Sequence, residues 1–147
     1  MVRNGTLQNN RQTGLSWDGK EHEAVDTWRY QLWSNGYFTA TCEHLFYINK
    51  NTHAESTFTL PFLAKDQTSY AIIFSLVKNN TLDDFNQIQS ILAGRSDIED
   101  SNGKRTASSF TIRAYNNSNN DHYYWQYMFI QGYYDTAQDL SGVPQDK

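Results

Sequence analysis

The side chains best suited to chemistry beyond folding lie in one stretch, Asn116-Asn117-Ser118-Asn119-Asn120-Asp121-His122-Tyr123-Tyr124-Trp125. Amides, a hydroxyl, a carboxylate and an imidazole run directly into three aromatic rings. Sugars are held by this pairing: the apolar C–H face of the ring lies on a flat aromatic, and amides and carboxylates take the hydroxyls. Asp121, His122, Tyr124 and Trp125 are the residues it singles out for ligand contact. The competing reading is a polar hairpin loop entering a core strand, which residue types alone favour.

Catalytic chemistry finds less support. His22, His44, His53 and His122 do not recur at metal-ligand spacing. In Cys42-Glu43-His44, strand alternation sends Cys42 and His44 to one face and Glu43 to the other, so the triplet reads as a small core cysteine and a strand-end histidine. Glu21-His22-Glu23 lies in a polar, solvated segment. Asp83, Asp84, Asp97, Glu99, Asp100 and Asp121 fall in expected loops or near a helix start. Capping and solvation account for them without a glycosidase pair. Ser108-Ser109 has no nucleophile-elbow context, and no glycine loop is shaped for phosphate. Asn79-Asn80-Thr81 and Asn116-Asn117-Ser118 match the glycosylation sequon by chance in an Asn-rich chain. The expectation is a binding protein, not an enzyme, with no metal or cofactor.

Composition narrows the partners. The net charge is −4 and the pI about 5.4, without the basic stripe that a nucleic-acid binder needs against phosphates. The densest basic pair, Lys104-Arg105, lies in a Gly/Asn/Ser-rich loop segment. The longest apolar run, Tyr70 to Val77, is broken by Ser75 and falls far short of the ~20 residues of a membrane span. No charged n-region precedes an apolar stretch at the N-terminus, and the lone Cys42 excludes an intramolecular disulfide framework. Neutral amides and hydroxyls carry most of the polarity, which suits a neutral polyol.

The elements that must position these residues are strands. With 147 residues the chain fits one domain, and its ten Tyr, eight Phe and four Trp favour pleated surfaces over helix interiors. Trp28, Tyr30 and Leu32 alternate with Thr27, Arg29 and Gln31. Ser34-Asn35-Gly36 follows, Asn-Gly being a favoured type I′ pair, and alternation resumes through Phe38, Ala40 and Cys42. Phe58, Leu60 and Phe62 form another strand, with Pro61 marking an edge or bulge. Residues 69–77, 109–115 and 122–134 complete the set. In the last, Tyr123, Trp125, Tyr127 and Phe129 share one face and Tyr124, Met128 and Ile130 the other, which implies cover on both sides. Leu82, Phe85, Ile88 and Leu92 recur at helical spacing behind Thr81, so one short helix near 82–92 competes with a strand. Loops are expected at 94–106 and 116–121. Residues 1–24, including Trp17, read as a polar arm or linker, 25–134 as the domain, and 135–147 as a fraying tail. The fold class is all-β, an antiparallel sandwich of jelly-roll kind.

Trp28-Arg29-Tyr30-Gln31-Leu32-Trp33-Ser34-Asn35-Gly36 resembles the Trp-x-Tyr-x-x-Trp-x-Asn/Asp-Gly opening of the C-terminal β-sandwich module of bacteriophage and prophage tail fibre and baseplate appendage proteins. The similar order continues through the aromatic strand 37–42, Phe-x-Leu-Pro-Phe at 58–62, the apolar strand 69–77, Thr-x-Ser-Ser-Phe-Thr-Ile at 106–112 and a closing Ile130-Gln131-Gly132 without the Trp common there. The resemblance covers residues 26–134. It implies a homotrimer at the end of a virion appendage, in contact with other tail proteins. Some such modules bind host cell-surface glycans, and others are structural tips, plugs or decoration proteins.

Overall fold

Period-2 alternation organises the whole chain. A computed structural model describes residues 2–16, 18–78 and 87–147, with no side-chain description for 76–78. The described residues form eight strands and no α-helix: β1 (Arg3–Leu15), β2 (His22–Leu32), β3 (Tyr37–Ile48), β4 (Thr52–Thr59), β5 (Tyr70–Lys78), β6 (Ile88–Glu99), β7 (Arg105–Asn116) and β8 (His122–Tyr133). One antiparallel sheet runs β1-β2-β3-β8-β5 and the other β4-β7-β6. The chain changes sheet at β3–β4, β4–β5 and β5–β6, then returns between β7 and β8. Strands β3-β8-β5 and β4-β7-β6 thus wind as in a jelly roll, with the β1–β2 hairpin added at one edge. The fold is the expected all-β sandwich.

The core lies between the sheets and is built mainly of rings. Trp28 and Tyr30 of β2, Phe38, Ala40 and Cys42 of β3, and Tyr124, Met128 and Ile130 of β8 belong to one cluster with Phe58 of β4 and Phe110, Ile112 and Ala114 of β7. Phe58 stacks on Phe110 at 5.4 Å, and Phe62, just past Pro61, meets Phe38 at 4.7 Å. Such rings bury roughly 150–250 Å² each, so a handful dominates the packing energy. The buried Gln126 is satisfied within the sandwich: it accepts from Ser90 Oγ at 2.6 Å across the sheets and donates to the Ser75 carbonyl at 2.9 Å. That agrees with the rule that buried polar groups are hydrogen-bonded.

The arm, the fraying tail, the 94–106 loop and the hairpin turn type are corrected, and the choice between helix and strand falls to strand over 88–92. The N-terminal segment is no arm: β1 pairs with β2 from Arg3↔Leu32 to Leu15↔His22, with register shifts after Asn9 and Gln12. An edge strand meets only one neighbour and buries little, so polar residues serve it well, with Gly5 buried and Leu7 packed on the core. Trp17 lies outside the described residues. The tail also docks rather than frays. Val143 is buried, Tyr30 donates to the Pro144 carbonyl, Arg3 to that of Val143 at 2.6 Å, and Asp146 N–H to that of Asn4.

The helical spacing does not make a helix at 88–92. Leu82 and Phe85 lie outside the described residues, but Ile88 to Leu92 pair with Asn116 to Ile112 in β6, which continues to Glu99. The long loop expected at 94–106 shrinks to 100–104. The four-residue spacing of Ile88 and Leu92 shares one face of a strand as well as of a helix, and in β6 it turns both toward the core. The hairpin turn also differs in type: only Gly36 has positive φ (93°), Gly36 N–H donates to Trp33 O, and Tyr37 O accepts from Trp33 N–H. This is a three-residue loop with glycine at its left-handed position, where a type I′ pair would require two.

Candidate functional site

The 116–121 loop spends most of its polar groups on itself. Asn116 is wholly buried; its amide donates to the carbonyls of Ile48 (3.0 Å) and Asn120 (2.8 Å), and its oxygen accepts from the Ser118 N–H and hydroxyl. A buried Asn116 has no room for a glycan on its sequon. Asn51, held at φ 56°, ties the facing turn to the loop through Ser118 O and Asn119 Oδ1. Asp121 remains exposed and accepts from Lys50 N–H at 2.8 Å and Tyr47 OH at 3.3 Å.

The four residues singled out in sequence do not converge. His122 and Tyr124 are buried on the core face, and Tyr124 stacks on Phe46 at 5.7 Å. Burial raises the Tyr124 phenol well above its usual range. Neither residue can meet a ligand while the domain is folded. Strand alternation separates them from Trp125, which lies half-buried on the outer face with Tyr123, Tyr127 and Phe129. Asp121 and Trp125 are therefore the pair left near an outward surface.

That surface carries the residues the sequence reading did not choose. On β3, Tyr47 lies opposite Tyr123 with ring centroids 4.3 Å apart and Tyr37 opposite Tyr133, while Leu45, opposite Trp125, is buried. Tyr47 is 42% exposed and Tyr133 52%; Ile73 of β5, opposite Phe129, is 60% exposed. Desolvation, then the Asp121 carboxylate, pushes the Tyr47 phenol up. At the far end of the face a shallow groove of about 610 Å³ is lined by Tyr37, Thr68, Gln131 and Tyr133, with Tyr37 OH donating to Gln131 Oε1 at 3.1 Å. The row from Tyr123 to Tyr133 spans about 33 Å at ~3.3 Å per residue. No signal in β3 alone marks Tyr47; the signal is its register with Tyr123.

No protein-family model, curated protein or solved structure matches the chain.

A second constellation sits on the opposite face of the same sheet, between the two layers. His44 and Asp26 are buried in the core, with His44 Nδ1 2.8 Å from Asp26 Oδ1 and His44 Nε2 3.0 Å from Ser56 Oγ of β4. Asn10, in the left-handed region (φ 52°) at the β1 register shift, donates from Nδ2 to Asp26 Oδ2 at 3.0 Å. The rings of Phe46 and Phe58 hold the imidazole edge-on at 4.7 and 5.2 Å. A cleft of about 400 Å³ opens beside Ser56, Asn9, Asn10 and Thr57. Sequence reading missed it because Asp26, His44 and Ser56 come from three strands and form no local motif. Among the described residues no three His, Cys, Asp or Glu side chains are grouped to hold a metal ion.

Proposed function

We propose that this chain is a saccharide-binding module of a phage-type virion appendage, recognising a neutral polyol of the host cell surface through the outer face of its five-stranded sheet. The carrying observation is the row Tyr123, Trp125, Tyr127 and Phe129, extended by Tyr47 and Tyr133, on the face that the second sheet does not cover. Flat rings on a rigid sheet offer stacking planes at low conformational cost. Asp121 at one end, and Gln131 and Thr68 at the other, supply hydrogen-bonding groups beside them. The acidic net charge favours neutral polymers over phosphate-rich ones. The placement in a virion rests on the resemblance of the Trp28–Gly36 opening and the order of the later strands.

Binding to an array of neutral bacterial surface polysaccharides tests this reading. Tyr47→Ala and Asp121→Ala should each weaken binding while the melting temperature stays within a few degrees. Full binding by both variants would sink the site.

One observation favours a structural reading. Ile73 is the most exposed large apolar side chain among the described residues and stands beside Phe129 on the same face. A second and third copy of the chain, as in a homotrimer, would cover such a patch. Sedimentation equilibrium at tens of micromolar separates the two: a trimer broken by Ile73→Asp assigns the face to assembly, a monomer leaves it to ligand.

A further inference from the structure

We propose that Ser56 is a nucleophile for a small neutral acyl ester, with His44 as its general base and Asp26 and Asn10 as positioning residues. The proposal rests on the inter-layer geometry alone and is independent of saccharide binding on the outer face. Asp26 takes the proton-bearing Nδ1 of His44 as its hydrogen-bond donor at 2.8 Å, which leaves Nε2 as an acceptor 3.0 Å from Ser56 Oγ. This is the order of contacts by which a carboxylate fixes an imidazole tautomer and the imidazole withdraws a serine proton. Asn10 holds the second carboxylate oxygen, and the buried rings of Phe46 and Phe58 fix the imidazole plane. A merely structural network needs no open side, yet Ser56 is only half-buried and lines the cleft.

The cleft indicates the substrate class. The amides of Asn9 and Asn10 and the backbone of Thr57 and Thr59 border it, the two threonine side chains alternating away from that of Ser56 with the Thr57 hydroxyl on Thr111 Oγ1 at 2.8 Å, and its one charged side chain, Asp26, is already committed to His44. Four consecutive residues of β4, Ser56 to Thr59, line it, so it runs along the free edge of a strand that pairs only with β7. Alternate backbone N–H groups of such an edge point away from the sheet and provide donors for an oxyanion. In the reaction, Ser56 Oγ attacks the ester carbonyl carbon, and its proton passes to His44 Nε2. Collapse of the tetrahedral intermediate expels the alkoxide, which takes that proton and leaves as an alcohol. Water then attacks the acyl-serine, gives a proton to His44, and the carboxylic acid departs as Ser56 Oγ regains the proton. Ester and water become alcohol and acid, with no redox partner.

A fluorophosphonate probe and p-nitrophenyl acetate test it on the full chain. Intact and peptide mass spectrometry should show one phosphonyl adduct, mapped to Ser56 and lost in Ser56→Ala. Ester hydrolysis should fall to the uncatalysed rate in Ser56→Ala, with the circular dichroism spectrum of the folded wild type retained at the assay temperature. His44→Gln and Asp26→Asn should each slow labelling at least about 100-fold. Asp26→Asn should also remove the far-downfield Nδ1–H proton resonance of His44, which loss of packing alone does not explain in a folded variant. Should His44→Gln fail to fold, the adduct map and the Ser56→Ala rate decide. An unlabelled wild-type chain, an adduct at another residue, or equal hydrolysis by wild type and Ser56→Ala overturns the proposal.

Discussion

The Tyr30 hydroxyl donates to the Pro144 carbonyl at 2.5 Å, joining the second strand to the end of the chain across 114 residues. Tyr30 is also in ring contact with Phe62 at 5.7 Å. Tyr30→Phe keeps the ring contact and orphans the carbonyl, so it should cost about 1–2 kcal/mol in urea denaturation. Burial pushes the Tyr30 phenol up from 10 to about 12. The unfolded chain therefore loses this proton first, so the stability contribution is complete below pH 10 and is lost as pH rises through 12. Wild type should lose more stability than Tyr30→Phe between these values in thermal scans.

Gly5 is placed where a Cβ would run into the Pro144 carbonyl and the Tyr30 ring, with backbone on one side and a buried ring on the other. Gly5→Ala should destabilise by about 1–3 kcal/mol, as overpacking does. Hydrogen exchange should show the loss first at the Asp146 amide, which donates to the Asn4 carbonyl.

Trp28 meets Phe110 edge-on, 6.4 Å between centroids and 81° between planes, and is 1% exposed. Trp28→Ala should cost about 3–5 kcal/mol. A double-mutant cycle with Phe110→Ala should return about 0.5–1.5 kcal/mol of coupling for the ring pair. An unchanged melting temperature for Trp28→Ala would contradict its place between the sheets.

Tyr124 and Tyr47 separate folding from recognition. Tyr124 is fully buried against Phe46, so Tyr124→Ala should lower stability by about 3–5 kcal/mol. Tyr47→Ala removes an exposed ring and should stay within about 1 kcal/mol of wild type. Calorimetry on the two variants checks the assignment of faces that alternation along β8 and its pairing with β3 require.

The legible parts of the fold are those where alternation and burial agree. Trp28, Tyr30 and Leu32, then Phe38, Ala40 and Cys42, alternate in sequence and face the core in space. β1 and the far half of β6 were illegible because they lack apolar alternation, whereas the edge strands β4 and β5 carry it in Phe58 and in Ile72 and Phe74. The pairing of β1 and β6 is carried by backbone groups, and Asn9, Asn10, Arg11 and Ser96 leave no apolar rhythm to read. Of the candidate site, Asp121 and Trp125 emerge near an outward surface, while His122 and Tyr124 turn inward. Residue types show that a sheet has two faces; only register shows which one the second sheet covers. The Asp26–His44–Ser56 line was hidden for a different reason: each member is an ordinary polar residue until two layers close over them.

The irregular half of β1 bears on how the molecule behaves in a crowd. Beyond Asn9 the strand slips register twice, passes through left-handed Asn10 and Gly14, and exposes Arg11. A neighbouring molecule seeking to add its own strand there finds neither a straight ribbon of amides nor an apolar strip. Concentrated solutions, or a dense array of copies side by side, are thereby kept from zipping into continuous sheets along this border. The regular stretch from Arg3 to Gln8 is guarded differently: the docked C-terminus takes its Asn4 carbonyl through the Asp146 N–H, leaving that acceptor closed to a neighbouring strand.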